Sequence, residues 1–466
     1  MSVITREFIN KDIEFTDVNV HSANISINYV QMSQRIDWYK NLIQLHGGSH
    51  GHNIVIGTPP TVDQTACVFA CLELGISISV VDYGRKDNFE QYKFTDPKTE
   101  LLMPIDFFIV NETDDTDKYD FFSKTCVTTI IISEFDNSDV ALNKRNSEVF
   151  ATKDTVAIKC TSSGTTNKPK VIFHTHEFLY QVVSRNSNIF DQVVGLAANL
   201  NHGSSVATYY LPAIHSTKVT QLVHFGSSSA DLANALEIDT VNHLMIPYRS
   251  LLEQVSKSKY PNTTFYTLSS ISKEMKKRYN ELHFRDIISI FGCNETSGPT
   301  LTNRISYDNF AEDIYYQVDD FYKIRIIEGK LYVSLPVYGT TINTQDMFIK
   351  EGEKYIFAGR NDLQRINGTD VNLTEYKRIA SETGNCDLII DSARSAIYLA
   401  VWDNSTKVDK LVKRINKQFK TASNRDHYIN KVKVLDKQEF LSGVKIDYEL
   451  LRHYFRTHVR EISQIS

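Results

Sequence analysis

The sequence is short of the features that mark disulfide-rich, low-complexity and membrane-spanning proteins. Six cysteines are scattered over 466 residues without a CxxC pair, which is too few for a disulfide framework and typical of buried thiols. The 10 prolines and 19 glycines exclude a collagen-like or proline-rich chain. No apolar run approaches the roughly 18 residues that a membrane-spanning helix needs. We therefore expect a globular protein with no membrane partner.

Charge of one sign is not in large excess either, because 51 Lys and Arg residues face 56 Asp and Glu residues, a net charge of −5. This balance argues against a nucleic-acid partner. The first residues lack the pattern of a signal or transit peptide, so we expect cytoplasmic localisation. The charge is uneven, since 18 basic and 13 acidic residues follow position 362. That asymmetry favours a small basic C-terminal part beside a larger acidic part.

The hydrophobic pattern of the larger part indicates an α/β fold. Short apolar runs closed by breakers predict strands, and a helix is predicted at 62–74 between the first two of them. The predicted strands cover 53–57, 76–81, 105–110, 128–133 and 156–160. Strand, helix and strand in such quick succession favour parallel-rich sheets covered by helices.

The pattern changes after Arg360, where a small α+β unit is predicted. Its helices are expected at 374–381 and 408–419, and its strands at 388–391, 396–401 and 432–435. We therefore predict two domains, an N-terminal domain at 1–361 and a C-terminal domain at 362–466.

The run from Thr161 to Lys170 carries the clearest chemical signal. It reads Thr-Ser-Ser-Gly-Thr-Thr-Asn-Lys-Pro-Lys and directly follows the predicted strand 156–160. Hydroxyls, a glycine and two lysines on such a loop suit phosphate, because backbone N–H groups and cationic side chains can converge on its oxygens. It is not a Walker loop, since Pro169 stands where that motif needs its second glycine. The alternative is an ordinary polar turn.

This run resembles the phosphate loop of the adenylate-forming superfamily, which includes acyl- and aryl-CoA synthetases, amino-acid adenylation domains and luciferases. The family pattern is Ser-Gly-Thr-Thr-Gly-x-Pro-Lys, often followed by His-Thr-His, and this chain has His174-Thr175-His176. One departure is Asn167, where the family usually has glycine. The resemblance implies ATP contacts from Ser162, Ser163, Gly164, Thr165, Thr166 and Lys170, with a catalytic role for Thr165.

A second family motif follows in order. The segment Phe291-Gly292-Cys293-Asn294-Glu295 resembles the family's aromatic-Gly-x-Thr-Glu segment. An aromatic ring can stack on adenine, and a carboxylate beside a triphosphate can hold Mg²⁺. By resemblance, Phe291 and Gly292 lie at the adenine, Asn294 near the phosphates, and Glu295 is the catalytic Mg²⁺ ligand. Without the other motifs, a turn at a strand end is the plainer interpretation.

Two further motifs precede the predicted domain boundary. Thr344-Gln345-Asp346 is similar to the family's Thr-Gly-Asp, whose carboxylate accepts hydrogen bonds from the ribose hydroxyls. The segment from Phe357 to Arg360 resembles the family's aromatic-x-Gly-Arg, which implies nucleotide contacts from both residues. Asp362 then takes the family's hinge position, about which the C-terminal domain rotates between two reaction steps.

The last motif lies near the C-terminus. Residues 442–452 resemble the family's Gly-Lys-[Val/Ile]-Asp segment, whose lysine bridges the substrate carboxylate and the α-phosphate. The resemblance assigns that catalytic role to Lys445, although Val444 is inserted between it and Gly443. An ammonium group there would offset charge that develops on phosphorus. The alternative is a surface lysine on a basic domain.

The expected activity is ATP-dependent adenylation of a carboxylate, followed by acyl transfer to a thiol or amine. Residues 211–216 resemble the family's substrate segment and make His215 and Ser216 candidate substrate contacts. Amino-acid adenylation domains carry an Asp about where Ser216 stands, so an acyl or aryl acid is favoured. Coenzyme A and a phosphopantetheine carrier protein both fit as acceptors; Asp370, where CoA ligases often carry a basic residue, mildly disfavours CoA.

Three alternatives stay open. The departures at Asn167, Asn294 and Val444 also fit a non-catalytic nucleotide-binding member of the same fold. His46, His50 and His52 could hold a metal, but the glycine-rich segment without carboxylates favours a surface turn. Cys67 and Cys71, four residues apart on a predicted helix, are expected to pack in the core.

Overall fold

The computed structural model of the chain describes residues 3–18, 25–58, 61–80, 105–111, 126–132, 142–161, 171–196, 205–225, 241–245, 260–267, 281–305, 314–317, 321–360, 363–366, 369–391, 396–402, 407–423, 429–442, 445–446 and 448–459. The chain divides into two compact units. The first comprises Met1–Lys323, Val333–Ile342 and Gly352–Tyr355, and the second Ile324–Tyr332, Asn343–Glu351 and Ile356–Ser466. The predicted domain boundary at 361/362 stays a prediction.

The elements of the chain up to residue 317 belong to the first unit. Their strands are β1 Glu14–Val18, β2 Ile25–Asn28, β3 Asn53–Ile56, β4 Ser77–Val80, β5 Ile105–Asn111, β6 Cys126–Ile132, β7 Val156–Thr161, β8 Val171–Thr175, β9 Gln192–Leu196, β10 Val219–Phe225, β11 His243–Met245, β12 Thr264–Thr267, β13 Asp286–Phe291, β14 Leu301–Ile305 and β15 Ile314–Gln317. The helices are α1 Tyr29–Leu45, α2 Val62–Leu74, α3 His176–Asn186 and α4 Leu211–His215, and a π-helical turn, Val206–Tyr210, precedes α4.

The elements after residue 320 are, in chain order, strands β16 Lys323–Ile327, β17 Lys330–Leu335, β18 Thr340–Glu351, β19 Lys354–Arg360, β20 Leu363–Ile366, β21 Thr369–Asn372, β22 Cys386–Asp391, β23 Ala396–Val401, β24 Lys431–Val434, β25 Leu441–Ser442 and β26 Lys445–Ile446, with helices α5 Leu373–Thr383, α6 Val408–Ser423 and α7 Tyr448–His458. Among the described residues, no helix has both the length and the apolar composition needed to cross a membrane.

One sheet of the first unit contains the strands that the sequence predicts. Its order is β6-β5-β3-β4-β7-β8, parallel except for the antiparallel pair β7 and β8. Helix α2 covers the predicted 62–74. Thr61 caps its N-terminus, since the Thr61 hydroxyl accepts a hydrogen bond from the Gln64 amide (3.2 Å). It ends at Gly75, whose φ of 70° favours glycine. Cys67 and Cys71 on this helix are buried, as expected.

A second sheet in the first unit runs β15-β14-β13-β12-β11-β9-β10-β1-β2. Strands from β13 to β1 are parallel, and antiparallel strands flank them at both ends. Because parallel strands share one carboxyl edge, the residues after β13 emerge at that edge. The prediction of parallel-rich sheets covered by helices is confirmed.

A buried ion cluster ties the first residues of the chain to α1 and α2. Arg6 donates to both carboxylate oxygens of Glu73, at 2.8 and 2.7 Å, and lies 2.7 Å from a carboxylate oxygen of Asp37. Lys40, fully buried, lies 2.8 Å from Glu73. The two cations hold the pKa of Glu73 below its usual range despite burial, which raises it. Such a paired set satisfies charges that would be costly to bury alone.

The C-terminal part of the second unit is the predicted small α+β fold. Strands β22, β23 and β24 form its sheet, with β23 at the predicted 396–401. Alternate residues of β22 enter different clusters, since Leu388 and Ile390 pack with α5 and α6 whereas Ile389 packs with α7. A sheet covered on both faces explains why every residue of β23 is buried.

Candidate active site

The turn after β13 is the part of the predicted site that the structure describes most fully. The carbonyl of Cys293 accepts hydrogen bonds from the amides of Thr296 and Ser297 at 3.1 and 3.0 Å. The Thr296 hydroxyl accepts from the Cys293 amide at 3.1 Å, and the Thr300 amide closes the turn on the Phe291 carbonyl at 2.9 Å. Backbone hydrogen bonds and the Thr296 hydroxyl therefore both stabilise the turn.

Close packing under the turn requires small residues. A Cβ on Gly292 would lie 2.6 Å from the Gly298 carbonyl oxygen, so no larger residue fits there without a shift. Tyr322 donates its hydroxyl hydrogen to the Thr296 carbonyl at 2.8 Å. Thr296 is fully buried, whereas Phe291 and Glu295 are half-buried. The aromatic ring and the carboxylate are thus presented from a rigid base.

The chemistry of this turn fits a nucleotide and a divalent cation. Glu295 supplies a carboxylate at the carboxyl edge of a parallel sheet, and Phe291 supplies an aromatic ring that makes edge contact with Tyr315 (6.2 Å). Burial, and next the Glu295 charge, raises the pKa of the Cys293 thiol to about 12, so the thiol is protonated at pH 7.

The predicted phosphate loop lies between two paired strands. Thr161 at the end of β7 pairs with Val171 at the start of β8, at the carboxyl end of a strand parallel to β4. Ser162, Ser163, Gly164, Thr165, Thr166 and Lys170 lie outside the described residues, as does Asp362. Their roles stay predictions.

Strand β8 is fixed on both sides. Tyr338 accepts a hydrogen bond from the Thr175 amide at 3.2 Å and donates to the Phe173 carbonyl at 3.4 Å. On the same strand, the Nε2 of His174 lies 2.6 Å from the Asn294 carbonyl oxygen. The strand that follows the predicted phosphate loop and the turn that carries Glu295 are therefore in direct contact.

The predicted ribose residue, Asp346, lies within β18 in the second unit. Thr344 accepts a hydrogen bond from the Asp346 amide at 3.3 Å and donates to the Leu331 carbonyl at 3.1 Å. Between them, Gln345 has a φ of 65°, a conformation that favours glycine, the residue that the family has at this position. Asp346 is half-buried at this local irregularity of the strand.

Three more predicted residues belong to the second unit. Phe357 on β19 packs edge-on against Phe348, with ring centroids 5.3 Å apart. Arg360 ends β19, and Lys445 begins β26, where it pairs with Ser442. The side chains of Arg360 and Lys445 lie outside what the structure describes.

The candidate substrate residues lie at the end of α4, where His215 is the last residue of the helix and Ser216 follows it. The ring of His215 stacks on Phe8 at 3.8 Å, and its Nδ1 lies 2.8 Å from the Phe8 carbonyl oxygen. Ser216 is buried and donates its hydroxyl hydrogen to the Phe190 carbonyl at 2.8 Å. The Lys218 amide donates to the same hydroxyl at 3.3 Å. Both side chains are therefore hydrogen-bonded to main-chain groups of the first unit.

The histidine-rich turn makes local hydrogen bonds. The Ser49 amide donates to the Nδ1 of His52 at 3.1 Å, and the Nδ1 of His46 lies 2.9 Å from the Leu42 carbonyl oxygen. Among the residues that the structure describes, no group of three or more His, Cys, Asp or Glu residues is arranged to hold a metal ion. His46 and His50 are exposed, and the surface turn stays a prediction.

Three residues that support the site, Tyr322, Tyr338 and His174, cannot be identified from the sequence alone. Tyr322 and Tyr338 carry no local signal, because their partners are distant in the chain. His174 stands within the quoted His-Thr-His run, but nothing in that spacing points to Asn294.

The family is decided by a match to its sequence model, described as AMP-binding enzyme, over residues 11–320. The chain belongs to the AMP-binding enzyme family. The resemblance that the motifs indicated is thereby confirmed. No curated protein sequence matches the chain.

Solved structures similar to this one include complexes with an acyl-adenylate and with ATP. McyG A-PCP complexed with phenylalanyl-adenylate is 14% identical with a TM-score of 0.71, covering 98% of this chain and 96% of that one. The o-succinylbenzoate CoA synthetase of Bacillus subtilis with its acyl-adenylate is 14% identical (TM-score 0.68; 92% and 93% covered). ATP-bound MatB from Rhodopseudomonas palustris is 14% identical (TM-score 0.71; 96% and 95% covered). At such identities the likeness establishes the fold.

Proposed function

We propose that this family member uses ATP to adenylate an acyl or aryl carboxylate and then transfers the acyl group to a thiol or amine. The observation that carries the proposal is the rigid turn that presents Phe291 and Glu295, directly linked through His174 to the strand that follows the phosphate-loop motif. Family membership supports adenylation in general, and the motif residues support the particular roles below.

In this proposal, the predicted N-terminal domain, residues 1–361, supplies most contacts to ATP. Phe291 and Gly292 lie against adenine, Asn294 and Glu295 face the phosphates, and Asp346 accepts hydrogen bonds from the ribose hydroxyls. Magnesium, held by Glu295, would neutralise phosphate charge and favour departure of pyrophosphate. The residues of the phosphate motif, Ser162, Ser163, Gly164, Thr165, Thr166 and Lys170, complete the cradle, with Phe357 and Arg360 at the nucleotide.

Lys445 brings the carboxylate and the α-phosphate together. An ammonium group between two anions lowers their repulsion and offsets the charge that builds up on phosphorus as the carboxylate oxygen attacks. Pyrophosphate leaves, and the acyl-adenylate remains. We propose that the domain after Asp362 then rotates about that residue so that the acceptor can reach the acyl carbon.

Ser216 supports an acyl or aryl acid over an α-amino acid. Its hydroxyl is engaged with Phe190 and Lys218, and it carries no charge with which to bind an ammonium group. The stacked His215 ring is proposed to line the carboxylate pocket. For comparison, one similar structure is an anthranilate CoA ligase with anthranoyl-AMP (13% identical, TM-score 0.68).

Coenzyme A and a carrier protein both remain candidate acceptors. One similar structure is an anthranilate CoA ligase and another contains a carrier domain, PCP. The basic excess after residue 362 favours an acidic carrier or a phosphate-bearing acceptor. We retain the expectation of a cytoplasmic enzyme without a nucleic-acid or membrane partner.

Hydroxylamine trapping tests the first half of the proposed reaction, the formation of the acyl-adenylate. The wild-type protein, ATP, Mg²⁺ and one carboxylic acid at a time are incubated with hydroxylamine, and the hydroxamate is measured. We expect hydroxamate with one class of acid and none without ATP.

The competing function is a non-catalytic nucleotide-binding protein, which is favoured by the departures at Asn167, Asn294 and Val444. Tight ATP binding without hydroxamate from any acid would favour that alternative.

A further inference from the structure

His174 makes the contact between β8 and the turn after β13. Its Nε2 lies 2.6 Å from the Asn294 carbonyl oxygen. A carbonyl oxygen can only accept, so Nε2 carries the hydrogen and donates it. The side chain is fully buried, which removes water as a competing partner. Two segments 120 positions apart are thus joined by one short hydrogen bond.

Among the described residues, the polar contact of His174 is this hydrogen bond to Asn294. Its Nδ1 is buried and makes no hydrogen bond with the residues that the structure describes. The ring stacks on Phe178 at 4.9 Å, and Phe178 stacks on Tyr338 at 5.0 Å. Burial lowers the pKa of His174 to about 4, so the ring is neutral at pH 7. The tautomer and the ring plane are therefore both fixed.

The receiving carbonyl directly precedes the proposed magnesium ligand. The Asn294 carbonyl also accepts a hydrogen bond from the Ser297 hydroxyl at 3.2 Å. The backbone of Ser297 is in the left-handed region, with a φ of 48°. Rotation of the peptide between Asn294 and Glu295 would break both hydrogen bonds. The orientation of this peptide determines where the Glu295 side chain leaves the turn.

We propose that His174 is a positioning residue that holds the Asn294 carbonyl and so directs the Glu295 carboxylate toward the metal. The proposal rests on the proposed function for the metal role of Glu295. Because β8 begins at Val171, directly after Lys170, the same hydrogen bond couples the phosphate-loop motif to the metal ligand. His174 acts through the turn and touches neither ATP nor the reacting atoms.

His176 provides a matched control. It is equally buried and two positions away, and burial also lowers its pKa to about 4. Its Nδ1 accepts a hydrogen bond from the Ile4 amide at 3.1 Å, which joins it to a different segment of the chain. Replacing His176 with leucine therefore removes an equally buried imidazole without removing the hydrogen bond to the Asn294 carbonyl.

The experiment compares His174→Leu, His174→Gln and His176→Leu with the wild type. Amide hydrogen exchange is measured in ligand-free protein for the peptide covering 291–300, where the amides of Thr296, Ser297 and Thr300 are bonded within the turn. The second measurement is the Mg²⁺ concentration that gives half of the metal-dependent gain in ATP affinity.

We expect about tenfold faster exchange in the turn for His174→Leu, corresponding to roughly 1.4 kcal/mol. We also expect a several-fold higher Mg²⁺ midpoint for this variant. His174→Gln, whose amide can donate to the same carbonyl, is expected to stay near the wild type in both measurements. His176→Leu is expected to leave both unchanged.

Unchanged turn exchange in His174→Leu, or equal acceleration in His176→Leu, would overturn the proposal. If the ATP affinity of the wild-type protein did not depend on Mg²⁺, the proposed metal role of Glu295 would be contradicted. The exchange measurement, which needs no ligand, would still decide whether His174 holds the turn. The two claims therefore fail separately.

Discussion

The Tyr322 hydroxyl donates to the carbonyl oxygen of Thr296 at 2.8 Å, beneath the turn that presents Glu295. Both residues are buried. The Tyr322→Phe variant would leave that carbonyl without its phenolic partner, and we expect the free energy of unfolding to fall by about 1–3 kcal/mol. Urea denaturation measures the change. Tyr316→Phe on β15 removes an exposed hydroxyl and should change stability by less than about 0.5 kcal/mol. An equal effect in both variants would contradict the support role of Tyr322.

Glu295→Gln tests the proposed metal ligand. The amide is nearly the same size but carries no charge, so Mg²⁺ should bind the ATP complex more weakly. We expect the Mg²⁺ concentration for half-maximal pyrophosphate exchange to rise about tenfold or more, which corresponds to roughly 1.4 kcal/mol. Glu353→Gln, at an exposed residue between β18 and β19, is the control and should keep the wild-type midpoint. A normal midpoint in Glu295→Gln would refute the assignment.

Lys445→Ala tests the proposed catalytic lysine. Removal of the ammonium group should slow adenylate formation by about 10²-fold or more, because charge on the pentavalent phosphorus loses its stabilisation. ATP affinity should stay within a few-fold of the wild type. Rapid-quench measurement of acyl-adenylate, together with calorimetric ATP titration, separates the two effects. Lys437→Ala removes an exposed lysine from the same unit and should change neither quantity. Full-rate adenylation by Lys445→Ala would exclude the role.

Three buried histidines predict loss of stability in acid. Burial lowers the pKa of His174, His176 and His224 from an ordinary value of 6.5 to about 4. Between pH 6.5 and 4 the unfolded chain therefore binds more protons than the folded chain, and stability falls as pH falls. Asp17 opposes this, because burial raises its pKa to about 7 and its contribution is lost as pH rises from 3.8 to 7. Burial also lowers the pKa of His243, which acts in the same direction as the three histidines, so the expected net fall is toward acid.

The His176→Gln variant isolates one of these groups, since the amide oxygen can still accept from Ile4 and cannot be protonated in this range. We expect a shallower decline in the free energy of unfolding between pH 6.5 and 4, measured by urea titration at several pH values. His453→Gln, at an exposed position on α7, should leave the slope unchanged. A steeper decline in His176→Gln would contradict the assigned direction.

Local elements could be predicted where the hydrophobic pattern is strong. Helix α2 and strand β23 begin and end at the predicted residues, because a capping threonine, a terminal glycine and an uninterrupted apolar run each leave a local signal. The second sheet of the first unit was not predicted. Its strand β11 has only three residues, and its pairing with β9 and β12 depends on segments distant in sequence.

The same limit applies to the candidate site. The motifs around Thr165, Glu295 and Asp346 could be found because each is a short contiguous pattern. The contacts of His174 with Asn294 and of Tyr338 with Thr175 span 120 and 163 positions, so no local pattern could reveal them. Short contiguous motifs can therefore be found in the sequence, whereas contacts between distant segments, which hold those motifs in place, cannot.

Carboxylate-dependent exchange of labelled pyrophosphate into ATP tests the central claim most directly. The wild-type protein is assayed with Mg²⁺ against aryl, fatty and amino acids, and ATP binding is measured on the same preparation. We predict exchange that requires one class of acid, with aryl or acyl acids preferred over amino acids. ATP binding without exchange for any class would contradict adenylation and favour the non-catalytic alternative.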